Sequence, residues 1–132
     1  MTKELWISII IVVVILIGDI FTTKYTNESI ETTTHSLSEI RKEMEMENEE
    51  DIDADKLKEQ IKNIRDDWNK RHKKLAIYIE HDELEKIETD LAGLNGYLDK
   101  EEYGDSMAQL DISVYVLEHI KNKTVLSLIN IF

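Results

Sequence analysis

The chain reads as an all-α protein: an N-terminal transmembrane helix followed by an antiparallel three-helix bundle. Three observations predict this. An uncharged apolar run lies close to the N-terminus, three stretches of helical hydrophobic periodicity follow it, and the 132 residues contain no proline and no strand-like alternation.

The apolar run is LWISIIIVVVILIG, the 14 residues 5–18. By length alone it fits a membrane span, a signal-peptide core or a buried helix, so the flanks decide. Trp6 and Tyr25 are 19 residues apart. That separation is roughly 28 Å along a helix, close to the hydrocarbon thickness of a bilayer, and it places both rings where an aromatic belt belongs. Asp19 falls near one end, within reach of headgroups and water, and Ile20 to Thr23 complete the span. The first alanine is Ala54, so no small-residue cleavage site follows the run. A soluble core helix would be amphipathic, whereas this one is apolar all round. Residues 1–26 are therefore expected to form an uncleaved signal anchor of a single-pass cell-membrane protein. Lys3 with the α-amine outweighs Lys24, which sits among Asp19, Glu28 and Glu31. That balance favours a cytoplasmic N-terminus and an extracytoplasmic C-terminal domain.

Residues 27–55 are expected to form a polar stalk and acidic linker with a short helix. Residues 22–36 are rich in Thr, Ser and Asn, which compete for backbone hydrogen bonds. Ser36-Leu-Ser-Glu39 fits a capping box, with Leu37, Ile40 and Met44 following at helical spacing. Residues 43–55 carry eight acidic side chains and no basic one, and the like charges four apart (Glu43/Glu47, Glu45/Glu49, Glu49/Asp53) argue for a mobile linker.

Residues 56–132 carry the bundle and an apolar tail. Leu57, Ile61, Ile64, Trp68, Leu75 and Ile79 predict a long amphipathic helix from about Asp55 to about Glu80. Asp82 with Glu85 opens a second, whose Leu84, Ile87, Leu91, Leu94 and Leu98 alternate spacings of three and four; Gly96 and residues 99–105 end it. Ser106 with Gln109 opens a third, with Met107, Leu110, Val114 and Leu117 as its seam. Short connections make antiparallel neighbours. The same seams suit a homodimer as well as a monomeric bundle.

Composition limits the chemistry. With 28 acidic against 16 basic side chains, a net charge of -12, the chain has the opposite footprint to a nucleic-acid binder. The absence of Cys removes thiolate metal sites, iron–sulfur clusters and cysteine nucleophiles. No phosphate loop, catalytic Ser/His/Asp order or cofactor motif is present, and no enzyme is expected. If the second and third helices are antiparallel, His81, Asp82 and Glu85 come near Glu118 and His119. His81, Glu85 and His119 are thus candidate ligands for a divalent metal such as zinc or manganese, set against a plain capping role. The run Lys70-Arg-His-Lys-Lys74 is expected to be matched by Glu88 and Asp90 across the helix pair, with acidic lipid headgroups as its other partner. The chain ends in VLSLINIF. Leaving Leu126, Leu128, Ile129, Ile131 and Phe132 in water forgoes about 1.5 kcal/mol or more for each, so these are candidate partner-binding residues wherever they do not pack on the bundle.

The stretch WNKRHKKLAIYIEHDELEKIETDLAGLNGYL, followed by LEHI and the terminal LSLINIF behind a single anchor, resembles the domain of unknown function 4363 (DUF4363) family of small bacterial membrane proteins. The resemblance covers residues 68–132 and the anchor. It implies a source among spore-forming, low-GC bacteria and, as partner, a multi-pass membrane protein of the YetF type; it supplies no catalytic residues. The expected function is a non-catalytic accessory or interaction module for another membrane protein. The alternative is a divalent-cation-binding or sensing domain.

Overall fold

The computed structural model describes the backbone over residues 2–129 and the side chains over residues 2–126. Four helices run along the chain: α1, Lys3–Met46; α2, Ala54–Leu75; α3, His81–Asp99; and α4, Tyr103–Ile129, with a single 3-10 turn at Glu49–Asp51 between the first two. Each of α2, α3 and α4 packs on its predecessor, and α1 closes the ring by packing on α4. The three expected helices are all present, and the bundle has a fourth member that the sequence reading lacked: the C-terminal half of α1.

α1 is one unbroken helix of 44 residues, about 66 Å long. Its apolar half is not buried by any part of the bundle and is long and apolar enough to cross a membrane. From Thr26 on, one face turns inward and buries Thr26, Ser29, Ile30, Thr33, Leu37, Ile40 and Met44. The expected polar stalk is thus helix. The buried hydroxyls are satisfied locally: Thr26 Oγ1 donates to Thr22 O at 2.8 Å and Thr33 Oγ1 to Ser29 O at 2.9 Å. On α4, Ser106 and Ser113 are likewise buried and donate to the carbonyls of Glu102 and Gln109, each at 2.9 Å. Small side chains that bond back to their own helix satisfy their hydroxyls while letting neighbouring helices approach.

The acidic linker is also ordered. Glu43 accepts from Lys56 and, at 3.3 Å, from Gln60, while Arg41 bridges Glu45 at 2.9 Å and Asp111 of α4 at 2.6 Å. These cations offset the repulsion between carboxylates four apart. Asp53 caps α2, accepting from Lys56 N at 3.0 Å, and Ile52 packs against the core.

The predicted seams form the core. Leu57, Ile61, Trp68 and Leu75 of α2, Leu84, Ile87, Leu91, Leu94 and Leu98 of α3, and Leu110 and Leu117 of α4 are buried, while Ile64, Ile79, Met107 and Val114 pack at its margin. α2 ends at Leu75, short of Glu80, and the turn over residues 76–80 leaves Ile77 83% exposed. Gly96 lies inside α3, which ends instead at Asp99.

Candidate interaction face at the span end of the bundle

The register of the helices brings the candidate residues to the end of the bundle from which the apolar half of α1 leaves. α2 runs antiparallel to α1, with Lys56 beside Glu43 at one end and, at the other, Arg71 Nη1 donating to Ser29 Oγ at 3.3 Å. Beyond that, Tyr78 in the α2–α3 turn donates to Thr22 O at 3.2 Å, and its hydroxyl lies 3.0 Å from Thr26 Oγ1. α4 returns to the same level: Lys121 Nζ reaches Glu31 at 2.8 Å, and Lys123 Nζ reaches Glu83 at 2.7 Å and Glu80 at 3.4 Å. The C-terminal turn of α2, the α2–α3 turn, the start of α3 and the end of α4 therefore share one end with residues 19–31 of α1.

Of the candidate metal ligands, His81 and Glu85 are brought together, with Nε2 2.9 Å from a carboxylate oxygen. The imidazole of His81 lies 5.4 Å, ring centre to ring centre, from His72 of α2, at an interplanar angle of 56°. His119 is exposed on α4, and among the described residues no group of three or more His, Asp or Glu side chains is arranged to hold a metal ion. His72 was missed in the sequence because it sits inside a basic run; the antiparallel pairing of α2 and α3 across a five-residue turn was the signal that could have found it.

The basic run is placed differently from expectation. Glu88 pairs with Arg65 at 2.8 Å and Asp90 with Lys86, so neither faces residues 70–74. The early end of α2 explains the shift: with the helix stopping at Leu75, Arg65 pairs with Glu88, and the run lies closer to the span. Arg71 folds back on Asp67 at 2.7 Å, and Lys74 Nζ stands 5.4 Å from the centre of the Tyr25 ring. Lys70, Lys73 and Lys74 are exposed and make no salt bridge among the described residues.

Of the candidate tail residues, Leu126 is 59% exposed on α4. The side chains of Leu128 and Ile129, and Ile131 and Phe132 as a whole, lie outside the described residues. Beside this end, α1 lines a cleft of about 790 Å³ with Leu16, Asp19, Ile20, Thr23, Asn27 and Glu31 on one helix face. Asp19, Thr23 and Asn27 recur every four residues, giving the exit of the span a polar stripe flanked by exposed Ile20 and Phe21.

A family model described as domain of unknown function (DUF4363) matches residues 20–131, a stretch that begins just past the apolar run of residues 5–18 and takes in residues 27–67 as well as the rest of the bundle. No curated protein and no solved structure matches the chain.

Proposed function

We propose a role for this chain, which belongs to the DUF4363 family, as a single-pass membrane anchor that carries its bundle as a non-catalytic accessory module for another membrane protein. The observation that carries the proposal is the continuity of α1. An apolar half with no buried residue passes without a break into a half that contributes seven buried residues to the bundle. A span joined to its domain by one helix holds that domain at a fixed height and tilt above the bilayer, which suits a module that presents a surface to a neighbour in the same membrane. Glu31, Glu80, Glu83 and Glu85 at the span end are held by Lys121, Lys123 and His81, which favours an interaction surface over a reaction centre.

The proposed orientation puts the N-terminus in the cytoplasm and the bundle outside. The partner is a multi-pass membrane protein, recruited in part by residues 125–132. The anchor is tested by fractionation: the full chain stays in the membrane pellet through an alkaline carbonate wash, and deletion of residues 2–21 releases it. A full chain that washes off would defeat the anchor. The chain has no Cys, so one introduced thiol reports sidedness. Ser106 is buried and would not react, whereas Lys100 in the α3–α4 turn is exposed. Lys100→Cys is expected to take an impermeant maleimide in intact cells; labelling only after lysis would reverse the orientation. Pull-downs with and without residues 125–132 address the tail, and identical partners from both would remove it from the proposal.

A further inference from the structure

The anchored reading leaves unexplained why four lysines collect, free of salt bridges among the described residues, where the span meets the bundle. Lys70, Lys73 and Lys74 are exposed at the end of α2, and Lys24 is exposed on α1. A helix C-terminus favours cations, but that effect falls off within the last turn and accounts neither for Lys70 nor for Lys24. Four carboxylates at this end are already engaged: Glu31 by Lys121, Glu80 and Glu83 by Lys123, and Glu85 by His81. Asp19, Glu28, Asp82 and Glu118 are outside these pairs. Charge is also polarised along the bundle, because residues 43–55 and the α3–α4 turn put their acids at the opposite end.

Height decides what these lysines meet. Tyr25 lies one turn, about 6 Å, past Phe21, and the headgroup layer on each side of a bilayer is about 5–8 Å thick. Lys74 stands over Tyr25, and the Tyr78 hydroxyl bonds Thr22, so the end of α2 and the turn that follows lie at headgroup level when residues 5–23 span the hydrocarbon. In that turn, next to Tyr78, Ile77 is 83% exposed, and Phe21, one residue before Thr22, is exposed too. An apolar tip ringed by lysines is a surface suited to anionic phospholipid.

We infer that the span end of the bundle docks on the membrane surface, with Ile77 entering the interface and Lys24, Lys70, Lys73 and Lys74 binding anionic lipid headgroups. The docking rests on the anchored reading and adds to it a lipid requirement and a fixed contact between bundle and bilayer. Each lysine near an anionic surface is worth roughly fivefold in the docked-to-undocked ratio, so three together give about a hundredfold.

The test uses the full chain with one introduced Cys carrying an environment-sensitive fluorophore, reconstituted into vesicles of phosphatidylcholine alone or with a minority of phosphatidylglycerol. Three positions are compared: Val13→Cys in the span, Ala76→Cys beside the tip, and Met46→Cys at the far end of α1. The expected result is a probe at Ala76 shielded from water in the anionic vesicles only, returning to water in a Lys70→Gln/Lys73→Gln/Lys74→Gln variant and in high salt, while the Met46 probe stays in water throughout. An Ala76 probe that stays in water with phosphatidylglycerol present, or that is shielded equally in both lipids, or that ignores the lysine substitutions, overturns the inference. The Val13 probe separates the two levels: if it too is in water the anchor itself fails, whereas a buried Val13 probe with a wet Ala76 probe defeats the docking alone.

Discussion

Glu101 occupies a conformation that ordinarily goes to glycine. Its φ is 57°, and it is the one non-glycine residue with positive φ among those described. Its N–H donates to Leu98 O at 3.1 Å and that of Glu102 to Tyr97 O at 3.0 Å, the paired bonds of a Schellman motif that close α3. A side chain in this left-handed position costs roughly 1 kcal/mol, so Glu101→Gly is expected to stabilise the bundle by about 0.5–1 kcal/mol, less what glycine adds to unfolded-chain entropy. Urea unfolding in detergent checks this, and a variant less stable than the parent would show that the Glu101 side chain contributes more than its backbone strain costs. No glycine marked the turn in the sequence. Gly96, which seemed to mark it, is a helix residue, because a glycine near a helix end signals termination only when the backbone needs positive φ there. The same scale explains the metal candidates: His81 and Glu85 were legible as neighbours four apart on a helix, while His72 and the direction in which His81 faces depended on packing between helices.

At the level of elements, the seams of α2, α3 and α4 were legible because each repeats large apolar side chains at helical spacing. The inward face of α1 was legible only at Leu37, Ile40 and Met44, since the two turns before them bury Thr26, Ser29 and Thr33 around Ile30, and the hydrophobic period fades where hydroxyls replace methyls. Threonine-rich stretches disfavour isolated helix; packing against α4 and bonding back to the preceding turn override that preference. The acidic junction likewise reads as repulsive along the chain and becomes attractive only when α2 folds back. There the hydrogen bond from Lys56, seconded by Gln60, holds the Glu43 carboxyl below its ordinary value of 4.5, burial opposing it. A lowered folded-state value means that this carboxylate stabilises the fold fully above the unfolded value. That contribution is lost as pH falls through the folded value, since the unfolded chain takes up its proton first. Acid titration of unfolding in detergent is therefore expected to show a smaller loss of stability between about pH 6 and pH 3 for Glu43→Gln than for the parent. Parallel curves would mean that the Lys56 pair does not favour the folded state.

At the scale of the whole molecule, the fourth helix changes which fragment can stand alone. Residues 54–132 contain every helix with a clear sequence seam, yet they lack the face of α1 that covers both α2 and α4. Ile30, Leu37, Ile40 and Met44 are each at most 3% exposed. Returning the surfaces they cover to water, at about 1.5–3 kcal/mol for each side chain, removes roughly 6–12 kcal/mol. That is of the order of the whole stability of a small domain, about 5–15 kcal/mol. Residues 22–132 keep all four bundle helices and omit most of the apolar half of α1, so this fragment is expected to unfold in one cooperative thermal transition, while residues 54–132 show none or melt far lower. Circular dichroism of the two fragments decides the matter. A cooperative transition at the same temperature in both would mean that three helices suffice and that the lower half of α1 is only a rider on them; loss of the transition in the shorter one ties the folding of the domain to the same helix that carries its anchor. Truncation of that helix would then disable the bundle as well as release it from the membrane, so deletion phenotypes confined to residues 2–21 are the ones that report on anchoring alone.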